Sequence, residues 1–302
     1  MRLITRSDFD GLACGALLEY LGLIDEWLFV HPKDIQDGLV EATKNDIVAN
    51  VPYINGCGLW FDHHSSENER LGKSFKFEGV SKIAPSCARV IFDYYKGEET
   101  LKPFAEMIKY VDKMDSANLS ADEIRNPKDW ILLGFIADPR TGLGRMRNFT
   151  ISNLDLMKKL ARNNNFTKPI GEILAMSDVK ERVDAYFDQH NKFVEMVKKH
   201  AKKEGNAIFA DMRGVDPIYA GNRFLLYTIF PEQNISVWVV DGKQMVNSVI
   251  TVGYSIINKS ATVDVGSLML KYGGGGHRAV GTCQVPYKDT DRIVAEIIEA
   301  VR

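Results

Sequence analysis

The chain is poor in the features that mark secreted, membrane-spanning and duplex-binding proteins. Its 302 residues include only four cysteines, which lie far apart without a C-x-x-C pair, so neither a disulfide framework nor a zinc ribbon is expected. No apolar run approaches the ~20 residues that cross a bilayer, and no signal-peptide pattern is present. With a net charge of −2, the chain lacks the excess of basic residues typical of proteins that bind long nucleic-acid duplexes. We therefore expect a cytoplasmic protein without a membrane partner.

The first part of the chain alternates short apolar strands with helices. Strands are predicted at residues 1–5, 27–31, 46–51 and 58–61, and helices at 12–21, 34–43, 85–95 and 103–114, with Asp34 as the N-cap of the second helix. This alternation predicts an α/β domain whose parallel sheet is sandwiched between helices.

The second part changes character. Residues 179–203 read as a long connecting helix, with Lys202 and Lys203 at its C-terminus and Gly205-Asn206 ending it. Strands are predicted at 207–210, 235–240 and 245–254, a helix capped by Asp264 reaches residue 272, and a final helix covers 290–302. We therefore expect a first domain at 1–180, a linker helix at 181–205 and a smaller α+β domain at 206–302.

Polar side chains follow several of the predicted strands at the point where each strand ends. Asp8 and Asp10 follow the first strand, Asn50 ends the third, and Asp62-His63-His64 follows the fourth. In parallel sheets ligands bind beyond the carboxyl ends of the strands. Carboxylates with imidazoles suit Mn²⁺ or Mg²⁺. The pattern therefore predicts a metal site at this edge.

A second constellation lies near the C-terminus. Gly273, Gly274, Gly275 and Gly276 are followed by His277 and Arg278. Consecutive glycines let backbone amides approach an anion closely, and the two side chains after them add further donors. The segment therefore predicts phosphate binding.

Together, the Asp-x-Asp-Gly segment at residues 8–11, the Asp62-His63-His64 motif and the glycine run resemble the DHH phosphoesterase family with its C-terminal DHHA1 domain, in the exopolyphosphatase-like group. Members of that family hydrolyse phosphate esters or anhydrides with metal ions, commonly Mn²⁺. The resemblance implies an active site in a cleft between the two domains, with the glycine run on the substrate side.

The resemblance also implies roles for individual residues. Asp8 and Asp10 would bind the first and second metal, and His63 would be a ligand. His64 would face the substrate phosphate, and Asp62 would support both histidines. The fourth family motif has two candidates, Asp112 and Asp115, one helical turn apart. Arg140, Arg145 and Arg147 are weaker candidates for lining the site.

Two positions depart from the family pattern. Arg6 stands where the first motif has a histidine, and Asn50 stands where a bridging aspartate is expected. Asp46, the nearest carboxylate, begins its predicted strand and so lies at the wrong end. Arg cannot ligate a cation because it carries only hydrogen-bond donors. Arg6 could instead pair with Asp8 or bind a substrate phosphate.

Two functions therefore stay open. One is a metal-dependent phosphohydrolase with one or two ions, acting on a nucleotide, a short single-stranded oligonucleotide or another small phosphorylated substrate such as polyphosphate. The other is a phosphate-binding relative whose catalysis is reduced or lost because of Arg6 and Asn50. A homodimer is a further expectation that the sequence leaves open.

Overall fold

The computed structural model describes residues 1–64, 71 and 75–302, which form two compact units. The first unit contains Met1–Leu119 and Pro127–Ala185, and the second contains Ser120–Asn126 and Tyr186–Arg302. The division at residues 180 and 205 stays a prediction. Among the described residues, no helix combines the length and apolar character needed to cross a bilayer.

A parallel sheet forms the centre of the first unit. Its described strands are β1 (Arg2–Thr5), β2 (Glu26–Phe29), β3 (Asp46–Ala49), β4 (Leu59–Asp62) and β5 (Gly79–Ser81), in the order β2-β1-β3-β4-β5. Every pairing among these strands is parallel. β2 lies on one side of β1, and β3 lies on the other. This change in the side to which the chain connects opens a crevice beyond the carboxyl ends of β1 and β3.

Helices follow the strands along the chain. They are α1 (Phe9–Tyr20), α2 (Pro32–Gln36), α3 (Cys87–Tyr94), α4 (Gly97–Thr100), α5 (Ala105–Asp115), α6 (Ala121–Arg125), α7 (Asp129–Ala137), α8 (Asn153–Ala161), α9 (Ile170–Ala175) and α10 (Ser177–His200). All except α6 lie at least partly in the first unit. The predicted α/β class is confirmed.

Neighbouring residues on a strand point to opposite faces of the sheet, and both faces of this parallel sheet are buried. On one face, Leu3 and Phe61 join a large core that includes residues of α1, α3 and α5. On the other face, Ile4, Val48 and Trp60 form a second cluster. The strands are therefore apolar throughout, and the polar residues of interest lie just beyond their ends.

The second unit is built on a mixed sheet with helices. Its described strands are β6 (Ala201–Glu204), β7 (Ala207–Asp211), β8 (Ile235–Asp241), β9 (Asn247–Tyr254), β10 (Gly275–His277) and β11 (Val280–Pro286), in the order β10-β11-β9-β8-β7-β6. Only β7 and β8 pair in parallel within this described sheet. Its helices α11 (Leu225–Ile229), α12 (Val265–Leu270) and α13 (Thr290–Val301) follow in chain order. The last two contribute to the core against the sheet, which confirms the α+β prediction.

Two local predictions were wrong. The helix expected at 34–43 begins at Pro32, after His31 as the N-cap, and ends at Gln36. The left-handed φ of 72° at Gly38 stops it, and Leu39 beyond it is 73% exposed and so gains no burial from a longer helix. Asp34 sits inside this helix and accepts the His31 amide instead of capping the start.

The connecting helix also ends earlier than expected. It stops at His200, and Lys202 and Lys203 belong to β6, which pairs antiparallel with β7. Gly205, with a φ of 62°, and Asn206 form the hairpin turn between these strands. The interstrand hydrogen bonds of the sheet outweigh the local preference for helix here.

Candidate active site

The Asp-x-Asp-Gly segment positions two buried carboxylates at the start of α1. Asp8 is the N-cap of this helix, and its Oδ1 accepts the Gly11 amide at 3.0 Å. A Cβ at Gly11 would overlap the carbonyl oxygen of Arg6, so glycine is required at this close approach. The cap fixes Asp8 at the helix entry and leaves Asp10 in the first turn.

Asp10 is held by backbone amides at the start of α3. It is 2% exposed, and its two oxygens accept the Cys87 amide at 2.9 Å and the Ala88 amide at 2.8 Å. Burial, followed by the negative charges of Asp115 and Asp8, raises the pKa of Asp10 well above its usual value, although the two amides oppose this. The buried surroundings of Asp10 therefore disfavour its ionised form.

His63 turns its ring Nε2 toward two carboxylates. Its Nδ1 lies 3.1 Å from the carbonyl oxygen of Ala84, so Nδ1 carries the proton and donates it. The buried Nε2 has no hydrogen-bond partner among the described residues. It faces Asp115 Oδ2 at 3.3 Å and Asp10 Oδ2 at 3.8 Å. A neutral imidazole in this tautomer is the form that binds a metal ion.

The site formed by Asp10, His63 and Asp115 fits a divalent cation. Ligand atoms from the three residues lie within 4.8 Å of one another. Burial and the charge of Asp8 raise the pKa of Asp115 against the opposing effects of His63, His64 and Arg140. A cation would relieve this crowding of negative charge and would engage His63 Nε2. Two carboxylates and one imidazole suit Mn²⁺ or Mg²⁺.

Asp62 orients His64 beside this cluster. Asp62 lies at the end of β4 with no exposed surface, and its Oδ1 is 2.8 Å from His64 Nδ1. The ring of His64 is therefore fixed, with Nε2 on the opposite side from Asp62. Burial lowers the pKa of His64, but the hydrogen bond to Asp62 and the charges of Asp62 and Asp115 outweigh it and raise the pKa overall.

Arg6, Asp8 and Asn50 meet at the carboxyl ends of β1 and β3. Arg6 Nε lies 3.1 Å from Asp8 Oδ2, and Asn50 Nδ2 donates to Asp8 Oδ1 at 3.1 Å. Asn50 adopts a left-handed φ of 58°, a conformation that asparagine tolerates better than most residues. The two residues that depart from the family pattern thus both bind the carboxylate assigned to the first metal. The pairing of Arg6 with Asp8 was anticipated from the sequence.

Asp112 and Asp115 have different surroundings although they lie on the same helix. Asp112 Oδ2 accepts Arg89 Nε at 3.0 Å and Nη2 at 2.7 Å, and Asp112 Oδ1 accepts the Ser86 hydroxyl at 2.7 Å. Asp115 instead lies against His63. The geometry therefore favours Asp115 over Asp112 as a ligand.

Arg140 adds positive charge near the cluster. Its Nε and Nη2 bind Asp138 at 2.7 and 2.8 Å. Burial lowers the pKa of Arg140, but Asp138 and the more distant charges of Asp8 and Asp115 raise it overall. This places Arg140 within electrostatic range of two of the carboxylates.

The glycine run forms a turn and an edge strand. The amides of Gly273 and Gly274 donate to the carbonyl oxygens of Leu270 and Met269 at 3.1 and 3.0 Å, while Gly275 and Gly276 pair with β11. His277 and Arg278 are exposed. The structure therefore favours these two side chains over the amides of Gly273 and Gly274 as donors to an anion.

The sequence predicted the helix at 85–95 but did not indicate that the start of this helix, α3, contributes to the site. The amides of Cys87 and Ala88, the carbonyl of Ala84 and the side chains of Ser86 and Arg89 all contact the candidate site or its support. Backbone groups leave no trace in residue identity. The serine after a proline at a predicted helix start was the one available signal.

No protein-family model and no curated protein matches the chain. Among solved structures, it is similar to the pGpG-specific phosphodiesterase PggH from Vibrio cholerae, with 43% identity, coverage of 99% of this chain and 98% of that one, and a TM-score of 0.83.

Two more distant structures share the fold. An exopolyphosphatase-related protein from Bacteroides fragilis is 12% identical, with 99% of this chain and 91% of that one covered and a TM-score of 0.54. RecJ in complex with Mn²⁺ from Thermus thermophilus is 14% identical, with 99% of this chain and 51% of that one covered and a TM-score of 0.50.

Proposed function

Because the chain belongs to the DHH family of phosphoesterases, we propose that it is a metal-dependent phosphodiesterase that hydrolyses pGpG to two molecules of GMP. The observation that carries this proposal is the 43% identity to a pGpG-specific phosphodiesterase across 99% of the chain. A phosphodiester between two nucleotides also falls within the substrate class expected from the sequence.

The proposed metal site holds one Mn²⁺, with Mg²⁺ as a substitute, on Asp10, His63 and Asp115. Two observations support this assignment. The ligand atoms of the three residues converge, and the buried Nε2 of His63, which makes no hydrogen bond within the described part of the chain, faces both carboxylates. A bound divalent ion would polarise the scissile phosphate and lower the pKa of the attacking water. Asp8 is left out of this site because its oxygens already contact Arg6, Gly11 and Asn50. Its role as the ligand of a first ion stays a prediction.

Side chains around the metal site would bind and orient the phosphate. Asp62 holds His64 Nδ1, so His64 can offer Nε2 to a phosphate oxygen. Arg6, at the carboxyl end of β1, would donate to the same group. Phosphate binding by His277 and Arg278, which the resemblance implies, stays a prediction.

A substrate panel tests this proposal. Metal-free protein receives Mn²⁺ and is assayed with pGpG, pApA, inorganic polyphosphate and p-nitrophenyl phosphate esters, with product release followed by chromatography. We expect Mn²⁺-dependent release of GMP, loss of activity in EDTA and a clear preference for pGpG. Equal hydrolysis of pApA, or faster hydrolysis of polyphosphate, would remove the substrate assignment.

A binding protein with reduced turnover is the second candidate. It is favoured by one observation, the engagement of Asp8 by Arg6 and Asn50 at 3.1 Å each. Calorimetry with pGpG separates the two functions. Tight binding of pGpG without GMP release in any tested metal would support the binding protein, whereas multiple turnovers would exclude it.

A further inference from the structure

We infer that residues 84–89 form a positioning segment that holds Asp10, His63 and Asp115 in place together, with Asp112 as its anchor and not as a metal ligand. This inference rests on the proposed metal-dependent function. The segment contains the turn before α3 and the first residues of that helix.

The backbone of the positioning segment contacts two of the ligand candidates directly. The carbonyl of Ala84 accepts from His63 Nδ1 and so selects, for the neutral ring, the tautomer with Nε2 unprotonated. Three residues later, the Cys87 and Ala88 amides bind the two oxygens of Asp10. These amides lie at the start of a helix, where the positive end of the helix dipole also favours a carboxylate.

The side chains of the same segment control the third ligand candidate through Asp112. The Ser86 hydroxyl accepts the Arg89 amide at 3.0 Å as the N-cap of α3 and donates to Asp112 at 2.7 Å. The guanidinium of Arg89 binds the other oxygen of Asp112. Asp112 lies one turn before Asp115 on α5, so an anchored Asp112 holds the helical turn that carries Asp115.

The bonding of Asp112 argues for this anchoring role. Both of its oxygens are engaged, and the guanidinium neutralises its charge. The pair is largely shielded from water, with side-chain exposures of 25% for Arg89 and 18% for Asp112. Charge-assisted hydrogen bonds in such surroundings are stronger and more directional than exposed ones. Binding a cation through Asp112 would require breaking this pair.

Removal of Arg89 shows whether Asp112 is an anchor or a metal ligand, because the two roles predict opposite changes in Mn²⁺ affinity. Mn²⁺ affinity is measured by calorimetry on metal-free Arg89→Met and Asp112→Asn variants. If Arg89 and Asp112 form a positioning network, each change should weaken Mn²⁺ binding by about 10- to 100-fold. The double variant should cost little more than either single change, because both remove one network. If Asp112 were a ligand, Arg89→Met would release it and leave affinity unchanged or higher, which would overturn the inference.

Matched variants exclude a general effect on folding. Asp93 also lies on α3, 3.9 Å from Arg89 and 3.0 Å from Lys82, but it faces solvent. Asp93→Asn should bind Mn²⁺ as the unmodified protein does. Ser86→Ala should weaken binding, and Ser86→Thr should restore it because threonine keeps the hydroxyl and also caps helices. The Mn²⁺ electron paramagnetic resonance spectrum should change in Ser86→Ala and return in Ser86→Thr.

The experiment also distinguishes the inference from the proposed function. If the unmodified protein binds no Mn²⁺, the proposed function fails. If it binds Mn²⁺ and the Arg89, Asp112 and Ser86 variants bind it equally well, the positioning segment is wrong while the proposed function stands.

Discussion

The two ends of β3 place similar polar groups in opposite electrostatic situations. At its start, Asp46 is 2% exposed, and its oxygens accept from Arg2 Nε at 2.6 Å and from the Thr43 amide and hydroxyl at 2.6 and 2.9 Å. Beyond its carboxyl end, Asp8, Asp10 and Asp115 crowd one another. Burial opposes ionisation of Asp46, but its partners outweigh burial and lower its pKa, whereas the pKa of Asp10 is raised.

This difference shows how the sheet separates stability from function. The protein satisfies Asp46 with its own groups, so nothing further is needed there. At the opposite edge it leaves negative charge incompletely compensated. Two unit charges 4 Å apart interact by about 4 kcal/mol at an effective dielectric of ~20. A cation can recover energy of that order, and this is the physical basis for the metal site proposed at the carboxyl edge.

The largest expected effect is the loss of metal and activity on removing a ligand. Asp115→Asn should lower Mn²⁺ affinity and pGpG hydrolysis by more than ~100-fold. Loss of a residue that only supports a metal ligand costs about 10- to 100-fold, and loss of a ligand itself should cost more. Asp46→Asn should leave both within about twofold. Calorimetry and the chromatographic assay measure the two effects. Equal losses in both variants would end the contrast between the sheet ends.

The next effect concerns the number of bound ions. Arg6→His together with Asn50→Asp should raise Mn²⁺ stoichiometry from about one toward two and increase hydrolysis, because a cation is removed and a carboxylate is added beside Asp8. Aspartate also tolerates the left-handed backbone at position 50. Plasma mass spectrometry gives the stoichiometry. Two ions already present in the unmodified protein would contradict this prediction.

The two ends should also differ in thermodynamic stability. Asp46→Asn should lower the free energy of unfolding by about 1–3 kcal/mol, because buried hydrogen bonds to a charged group are lost. In EDTA, Asp115→Asn should leave stability unchanged or higher, since it relieves repulsion from Asp8 and Asp10. Urea denaturation followed by circular dichroism measures both. A clear loss of stability in Asp115→Asn would show that its charge is satisfied by the protein.

The smallest effect is the pH dependence of the Asp46 contribution. The pKa of Asp46 is lower in the folded than in the unfolded state, where it is about 3.9, so its stabilisation is present above that value and is lost as pH falls through the folded pKa. The stability difference between the unmodified protein and Asp46→Asn should therefore be constant from pH 7 to 5 and shrink below about pH 4. A difference that grows on acidification would contradict the lowered pKa.

The sequence predicted the strand ends better than the contacts around them. Apolar strands followed by aspartate or histidine placed Asp10 and His63 at one edge, because parallel strands align their ends. It could not separate Asp112 from Asp115, since that choice depends on Arg89 and Ser86 from another helix.

Elements fixed by distant pairing were the least predictable. The three-residue β5 is too short to show a period, and β6 forms because β7 pairs with it, not because of its own residues. The cytoplasmic location and the homodimer stay predictions. The class of function was anticipated because the motifs carry the candidate ligands, while the proposed substrate, pGpG, came from a relative.

Diffraction from crystals soaked in Mn²⁺, collected at the manganese absorption edge, tests the central claim most directly. A single anomalous peak should lie within ligand distance of Asp10, His63 and Asp115, with Arg89 still bound to Asp112 and no peak near Asp46. A peak coordinated by Asp112, or no peak at the carboxyl edge of the parallel sheet, would contradict the account.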